Sequence, residues 1–133
     1  PFHAEVDGRL HDAVAAWVAE HDGEVAGHVA LVRGLNVECL LRATGLPLGA
    51  LGGIVRLYVD PGFQRLGLAR ALLDTVTAAA VDHGLRPVLD VVDDSAPAIA
   101  LYEQAGWKLA GSQPATWTDP DGSIPLIRCY IGP

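Results

Sequence analysis

Between Gly53 and Val92 the sequence lays out a strand, a turn, a helix and a second strand in an order that permits few folds. Gly53 to Val59 is rich in β-formers and halts at Asp60-Pro61-Gly62, which predicts a strand largely buried on both faces and closed by a turn. From Leu66 to His83 the apolar residues Leu68, Leu72, Leu73, Val76, Ala79 and Ala80 recur with helical spacing, and Gly84 stands where a C-terminal cap belongs. The spacing predicts a helix of about four to five turns. Pro87 to Val92 is again a strand pattern. Strand, helix and strand joined in this way form a βαβ unit with a right-handed crossover, so the two strands should run parallel.

The flanks extend this unit. Ala13 to Glu20 and Val25 to Val32, joined by Asp22-Gly23, read as an antiparallel hairpin. Arg33 to Gly49 carries a helix-like patch at Glu38 to Ala43 and is then broken by Gly45 and Pro47. Ser95 fits an N-cap and Pro97 the first turn of a second helix, with Ile99 and Tyr102 on one face and Gly106 ending it. Trp107 to Ala110 and Ile124 to Ile131 read as closing strands around Asp119-Pro120-Asp121-Gly122.

The chain's 133 residues, half of them hydrophobic, suffice for one core and suggest a single domain over residues 1–133. A formal charge of -7, with its basic residues scattered, argues against a nucleic-acid partner. The longest uncharged stretch, Ala43 to Val55, is too short and too interrupted to span a bilayer, so no membrane association is expected. Cys39 and Cys129 lie far apart and match no zinc spacing, which points to reduced thiols and a cytoplasmic setting. The histidines form no i, i+4 pair, and no metal site is expected.

The loop Gln64-Arg65-Leu66-Gly67-Leu68-Ala69 is the segment that carries chemistry. Gly62 and Gly67 allow backbone N–H groups to approach a ligand closely, and the unpaired amides and positive end of the helix dipole face the same point. Such a site suits a phosphate. Arg65 and Arg70 add local positive charge, which outweighs the acidic whole because the Debye length is only about 8 Å in physiological salt. The loop departs from a P-loop, having no Gly-Lys-Ser/Thr, and from the dinucleotide fingerprint, having Ala69 at its last position. Taken alone, its glycines could equally do no more than shape the connection.

Two motifs in order make the segment more specific. Val55-Arg56-Leu57-Tyr58-Val59-Asp60-Pro61, Gln64-x-x-Gly67-x-Ala69 and Ala71-Leu72-Leu73 resemble the strand, pyrophosphate loop and helix of the Gcn5-related N-acetyltransferase (GNAT) superfamily. Downstream, Ser95-x-x-Ala98-Ile99-x-Leu101-Tyr102-Glu103-x-x-Gly106-Trp107 resembles that family's other hallmark helix. The resemblance runs from about Gly53 to Leu109.

It implies a mixed α/β fold: a mostly antiparallel central sheet with flanking helices and a parallel pair, strands 53 to 59 and 87 to 92, that splays apart. It implies acetyl-CoA as the acyl donor, a primary amine on a small molecule or protein as acceptor, direct attack of one on the other, and homodimers in many relatives. The donor would be held by Leu57, Tyr58 and Val59 of the strand, by Gln64, Arg65, Leu66, Gly67, Leu68, Ala69 and Arg70 of the loop, and by Ser95, which replaces the usual Asn. Tyr102 matches the family's general acid; a thiol titrates near about 8.5 and a phenol near about 10, so the phenol can hold a proton until the thiolate appears. Packing of the ring in the core is the rival role for Tyr102.

The strand carboxylate that some relatives use as a base is missing from Gly52-Gly53-Ile54-Val55-Arg56, which leaves Glu20, His28, Glu38 and Asp119 as candidates acting through water. Only about a dozen residues precede the hairpin, so the family's N-terminal strand and helix are expected to be absent. A non-catalytic module that binds or senses coenzyme A is the alternative reading, and a generic nucleotide-binding domain is a third.

Overall fold

In the computed structural model, which describes residues 2–5, 13–64 and 66–133, the sheet begins with β1 (Phe2–Glu5), antiparallel to β2 (Ala13–His21). No strand ahead of Ala13 is evident from the sequence pattern, and this one lies along the outer edge of the expected hairpin. Strand β2 turns into β3 (Glu24–Arg33) through Asp22 and Gly23, whose φ values of 53° and 80° match the right-handed twist of the paired strands. The helix-like patch is α1 (Glu38–Thr44), its single fully buried residue Leu40 facing the sheet.

The βαβ unit follows as expected, with shifted ends. Strand β4 (Leu51–Val59) starts two residues earlier than the pattern suggests, and only Leu51 to Ile54 are buried. From Val55 on, partly buried residues alternate with exposed ones, so the strand is not enclosed on both faces throughout. Helix α2 (Leu68–Asp82) begins at Leu68 rather than Leu66, because Gly67 takes a left-handed φ of 76° and acts as the N-cap. It is followed by β5 (Arg86–Val92), α3 (Ala96–Gln104), β6 (Lys108–Pro114) and β7 (Leu126–Ile131). Ser95 occupies the N-cap of α3, but its side chain makes no capping hydrogen bond.

The strand order is β1-β2-β3-β4-β5-β7-β6, antiparallel among the described residues except for β4 with β5. Helices α2 and α3 cover one face. Leu72, Leu73, Val76 and Ala80 of α2 pack on Trp17, Val29, Leu31 and Ile54, and each fully buried Leu or Val contributes about 1.5–3 kcal/mol. On the other face α1 closes a smaller cluster of Val37, Leu40, Leu51, Val88, Ile127 and Cys129. No helix among the described residues is long and apolar enough to cross a membrane.

Candidate functional site

The parallel pair is short. Strand β4 meets β5 only at Leu51↔Arg86, Gly52↔Pro87 and Gly53↔Val88. Beyond that point β4 continues to pair with β3 as far as Val59, and β5 continues with β7 as far as Val92. The facing edges from Ile54 and from Leu89 onward therefore diverge, and their backbone groups on that side have no strand to bond.

A bulge bends β4 where the gap opens. Between His28↔Tyr58 and Ala30↔Val55, one residue of β3 faces two of β4, and Arg56 there has a φ of 56°. Left-handed backbone at a non-glycine residue costs on the order of 1–3 kcal/mol and persists only when the surroundings impose it. One such constraint is visible: the ring of His28 donates through Nδ1 to the Arg56 carbonyl at 3.2 Å.

The gap runs into a cavity of about 680 Å³ bounded by Leu57 and Val59 of β4, by Gln64, Gly67, Leu68, Ala69 and Arg70, and by α3 through Leu101 and Tyr102. The first intrahelical bond of α2 is from the Ala71 N–H to the Gly67 carbonyl, so the amides of the preceding residues lack helical partners. Among the described residues no side chain caps them and no carboxylate sits in the first turn. An anion is the natural complement. Arg70 lies at this mouth, with its Nε donating to Asp74 at 3.0 Å in an exposed pair.

The structure thus brings together Leu57, Val59, Gln64, Gly67, Leu68, Ala69, Arg70 and Tyr102. Tyr58 and Leu66 are exposed and do not line the cavity, and neither does Ser95. For Tyr58 the reason is alternation along the strand, which turns its ring away from the face that Leu57 and Val59 share. Arg65 lies outside the described residues.

Tyr102 is buried among aromatic neighbours, with ring centroids 6.3 Å from Trp107 and 6.1 Å from Tyr130. Among the described residues no hydrogen bond engages its hydroxyl. Burial pushes the phenol's pKa above its ordinary 10, and the charge of Asp90 pushes it further. Asp90 is the residue that the sequence reading passed over. It stands in the middle of β5, flanked by Leu89 and Val91, which point to the helix-covered face. Its carboxyl therefore projects to the opposite side of the gap from α3. Desolvation raises its pKa above the ordinary 3.8, against its own backbone hydrogen bond. An acid inside a Val/Leu-rich strand was itself the available signal, since a half-buried carboxyl without an ion-pair partner costs free energy and such costs cluster at functional sites.

None of the four base candidates lines the cavity, and neither does Asp90, which differs from them in standing on the β5 edge of the gap. Glu38 pairs with Arg42 in the open, His28 bonds the bulge, Asp119 lies in a turn closed by its N–H to the Ser123 carbonyl, and Glu20 is half-buried in β2. The missing strand carboxylate has a steric explanation. A Cβ at Gly52 would meet Leu85 Cβ at 3.0 Å, and one at Gly53 would meet Leu35 Cβ at 2.8 Å.

Comparison with known proteins agrees with this geometry. The profile of the acetyltransferase (GNAT) family matches residues 2–107. The chain belongs to the GNAT family. An uncharacterized N-acetyltransferase of Mycobacterium tuberculosis is 32% identical to this GNAT chain over 100 residues, which are 74% of the chain and 56% of that protein. A mycothiol acetyltransferase of Acidothermus cellulolyticus is 33% identical over 114 residues, 84% of the chain and 35% of the relative. The chain thus spans about half the length, or less, of these curated relatives. Among solved structures, a GNAT family acetyltransferase from Elizabethkingia anophelis with acetyl-CoA bound superposes with a TM-score of 0.72 at 15% identity, covering 99% of this chain and 96% of that one. Arabidopsis thaliana NAA60 in complex with acetyl-CoA gives 0.73 at 19% identity, covering 92% and 77%. At such identities these two bear on the fold alone, which is the GNAT fold.

Proposed function

We propose that this GNAT domain, one folded unit over residues 1–133, holds acetyl-CoA in the gap between β4 and β5 and transfers its acetyl group to a primary amine by direct attack. The observation that carries the reading is the continuity of the gap with the bare N-terminus of α2. A chain of amides and a terminal diphosphate fits that continuity: an apolar-walled slot with free strand edges leads to a cluster of free N–H groups. Acetyl-CoA supplies an activated thioester acyl group.

The chain's own groups then have distinct tasks. The amides of Gly67 to Arg70 bind the diphosphate, with Gln64 beside them and with Arg65 and Arg70 adding positive charge. The main chain from Leu57 through Tyr58 to Val59 bonds the amide arm as a strand would. An N–H near Val59 polarises the thioester carbonyl. Tyr102 hands its proton to the departing thiolate, and the upward displacement of its pKa means that it holds that proton at neutral pH. Asp90, on the other face of the gap, takes the proton of the attacking amine through a water. This arrangement puts acid and base on opposite sides of the reacting carbon. The similar proteins named as N-acetyltransferases support nitrogen as the acceptor atom, and the net charge of -7 favours a cationic amine over an anionic one.

The test is release of free thiol on mixing the protein with acetyl-CoA and a panel of primary amines. Tyr102→Phe should lower kcat by about 10²–10⁴-fold and leave acetyl-CoA affinity within about twofold. Tight acetyl-CoA binding with no thiol release for any amine would identify a binding module instead. No binding at all would overturn the reading.

A further inference from the structure

The two cysteines, remote in sequence, meet on the sheet face opposite α2 and α3. Cys129 is fully buried in β7, and its cross-strand partner in β6 is Gly111. Directly opposed residues project to the same face with Cβ atoms about 4.5–5.5 Å apart. On that face the space of a Gly111 side chain is filled by Cys39, whose Sγ lies 2.7 Å from where a Cβ would be. Cys39 is held there by α1, since its N–H donates to Gln113 Oε1 at 2.8 Å. Its sulfur therefore stands on the same face as Cys129, in the place of the side chain directly opposite it. The two differ in access. Cys129 is sealed in, whereas Cys39 is partly exposed and lines an open cavity of about 330 Å³ with Glu38, Arg42, Ser112 and Gln113.

We propose that Cys39 and Cys129 act as a two-electron thiol–disulfide pair, in which Cys39 reacts with a low-molecular-weight disulfide and Cys129 resolves the product. The Cys39 thiolate attacks one sulfur of the small disulfide, that S–S bond breaks, and the first small thiol leaves carrying the proton that Cys39 gave up. Cys129 then loses its proton, attacks the Cys39 sulfur and expels the second small thiol, which takes that proton. Two protein thiols are oxidised to one disulfide and one small disulfide is reduced to two thiols, so atoms and electrons balance. Burial, and then the neighbouring Cys39 thiol, push the Cys129 thiol up to about 12, which makes the second step the slower one. The bridge would tie α1 to β7 next to Asp90, the β5 partner of Cys129. The test of the pair reads no turnover, so it does not depend on acetyl transfer.

The folded protein is incubated with oxidised glutathione, unfolded in an alkylating agent, digested and analysed by mass spectrometry. The expected product has lost two hydrogens, has no alkylated cysteine and yields a Cys39–Cys129 cross-linked peptide. Its Tm should rise on the order of 10 °C and return on treatment with dithiothreitol. Cys129→Ser should stop with one glutathione on Cys39, and Cys39→Ser should remain unmodified. Two alkylatable thiols after oxidation, a lasting glutathione adduct on the wild-type protein, or a bridge between two molecules would each overturn the proposal, and all three are read without either variant.

Discussion

Replacing Gly67 with Ala separates what the loop costs the fold from what it offers a ligand. Gly67 has φ 76° and ψ 10°, and a Cβ added there meets nothing within 4 Å. Packing thus adds nothing to the penalty, and what remains is the left-handed strain of an L-residue, about 1–2 kcal/mol. For a domain of this size that lowers Tm by roughly 3–10 °C. The open space that the methyl enters borders the cavity, beside the amides assigned to the diphosphate. Losing one charge-assisted hydrogen bond there costs about 1.5–3 kcal/mol, or roughly a 10- to 150-fold weaker Kd. Titration calorimetry with acetyl-CoA and a thermal melt read the two effects separately. Gly62→Ala is the control: its φ is not positive, its Cβ would touch only Asp60 Oδ1 at 3.4 Å, and its N–H already donates to that oxygen. It should change Kd by no more than about twofold. If Gly67→Ala shows the fall in Tm and binds acetyl-CoA as tightly as the wild type, the amide cradle is refuted.

Asp90→Asn should melt higher than the wild type at pH 7. The folded carboxyl has a pKa above 3.8, so the folded state holds its proton more tightly than the unfolded one, and wild-type stability falls as pH rises from about 4 through that folded value. Melts across pH should show the difference vanish below about pH 4, and the same variant should lose turnover if Asp90 accepts the amine proton. Tyr130→Phe removes the 2.9 Å hydrogen bond from the Tyr130 hydroxyl to Glu103 Oε2 that joins β7 to α3. Because Glu103 is exposed and can turn to water, a loss of about 1–2 kcal/mol in denaturant unfolding is expected, with acetyl-CoA Kd unchanged.

Legibility in the sequence followed the range of the interactions. Asp22-Gly23 and the spacing of Leu68, Leu72, Leu73 and Val76 are local signals, and the hairpin and α2 formed where they pointed. The divergence of β4 from β5 was expected only through family resemblance, since nothing in Ile54 to Val59 announces a lost neighbour. The bulge was invisible because Arg56 is not a residue that advertises left-handed backbone. Strand β1 is a short run whose place depends on an edge supplied by β2, and the meeting of Cys39 with Cys129 depends on α1, β6 and β7 together. That Gln64, Gly67, Leu68, Ala69 and Arg70 gather at the start of α2 was legible because strand-end and helix-start signals are local. Asp90 could have been read from its apolar flanks, but its relation to Tyr102 needed the fold.

Three residue pairs are all that stitch β4 to β5, and they sit at one end. The sheet is therefore two leaves, β1 to β4 and β5 with β7 and β6, sewn along a short seam and backed by α2. A slender molecule laid in the open part would serve as the missing rungs, so occupancy and the stiffness of the whole sheet become one property, and a domain with an empty seam is mechanically the weaker one.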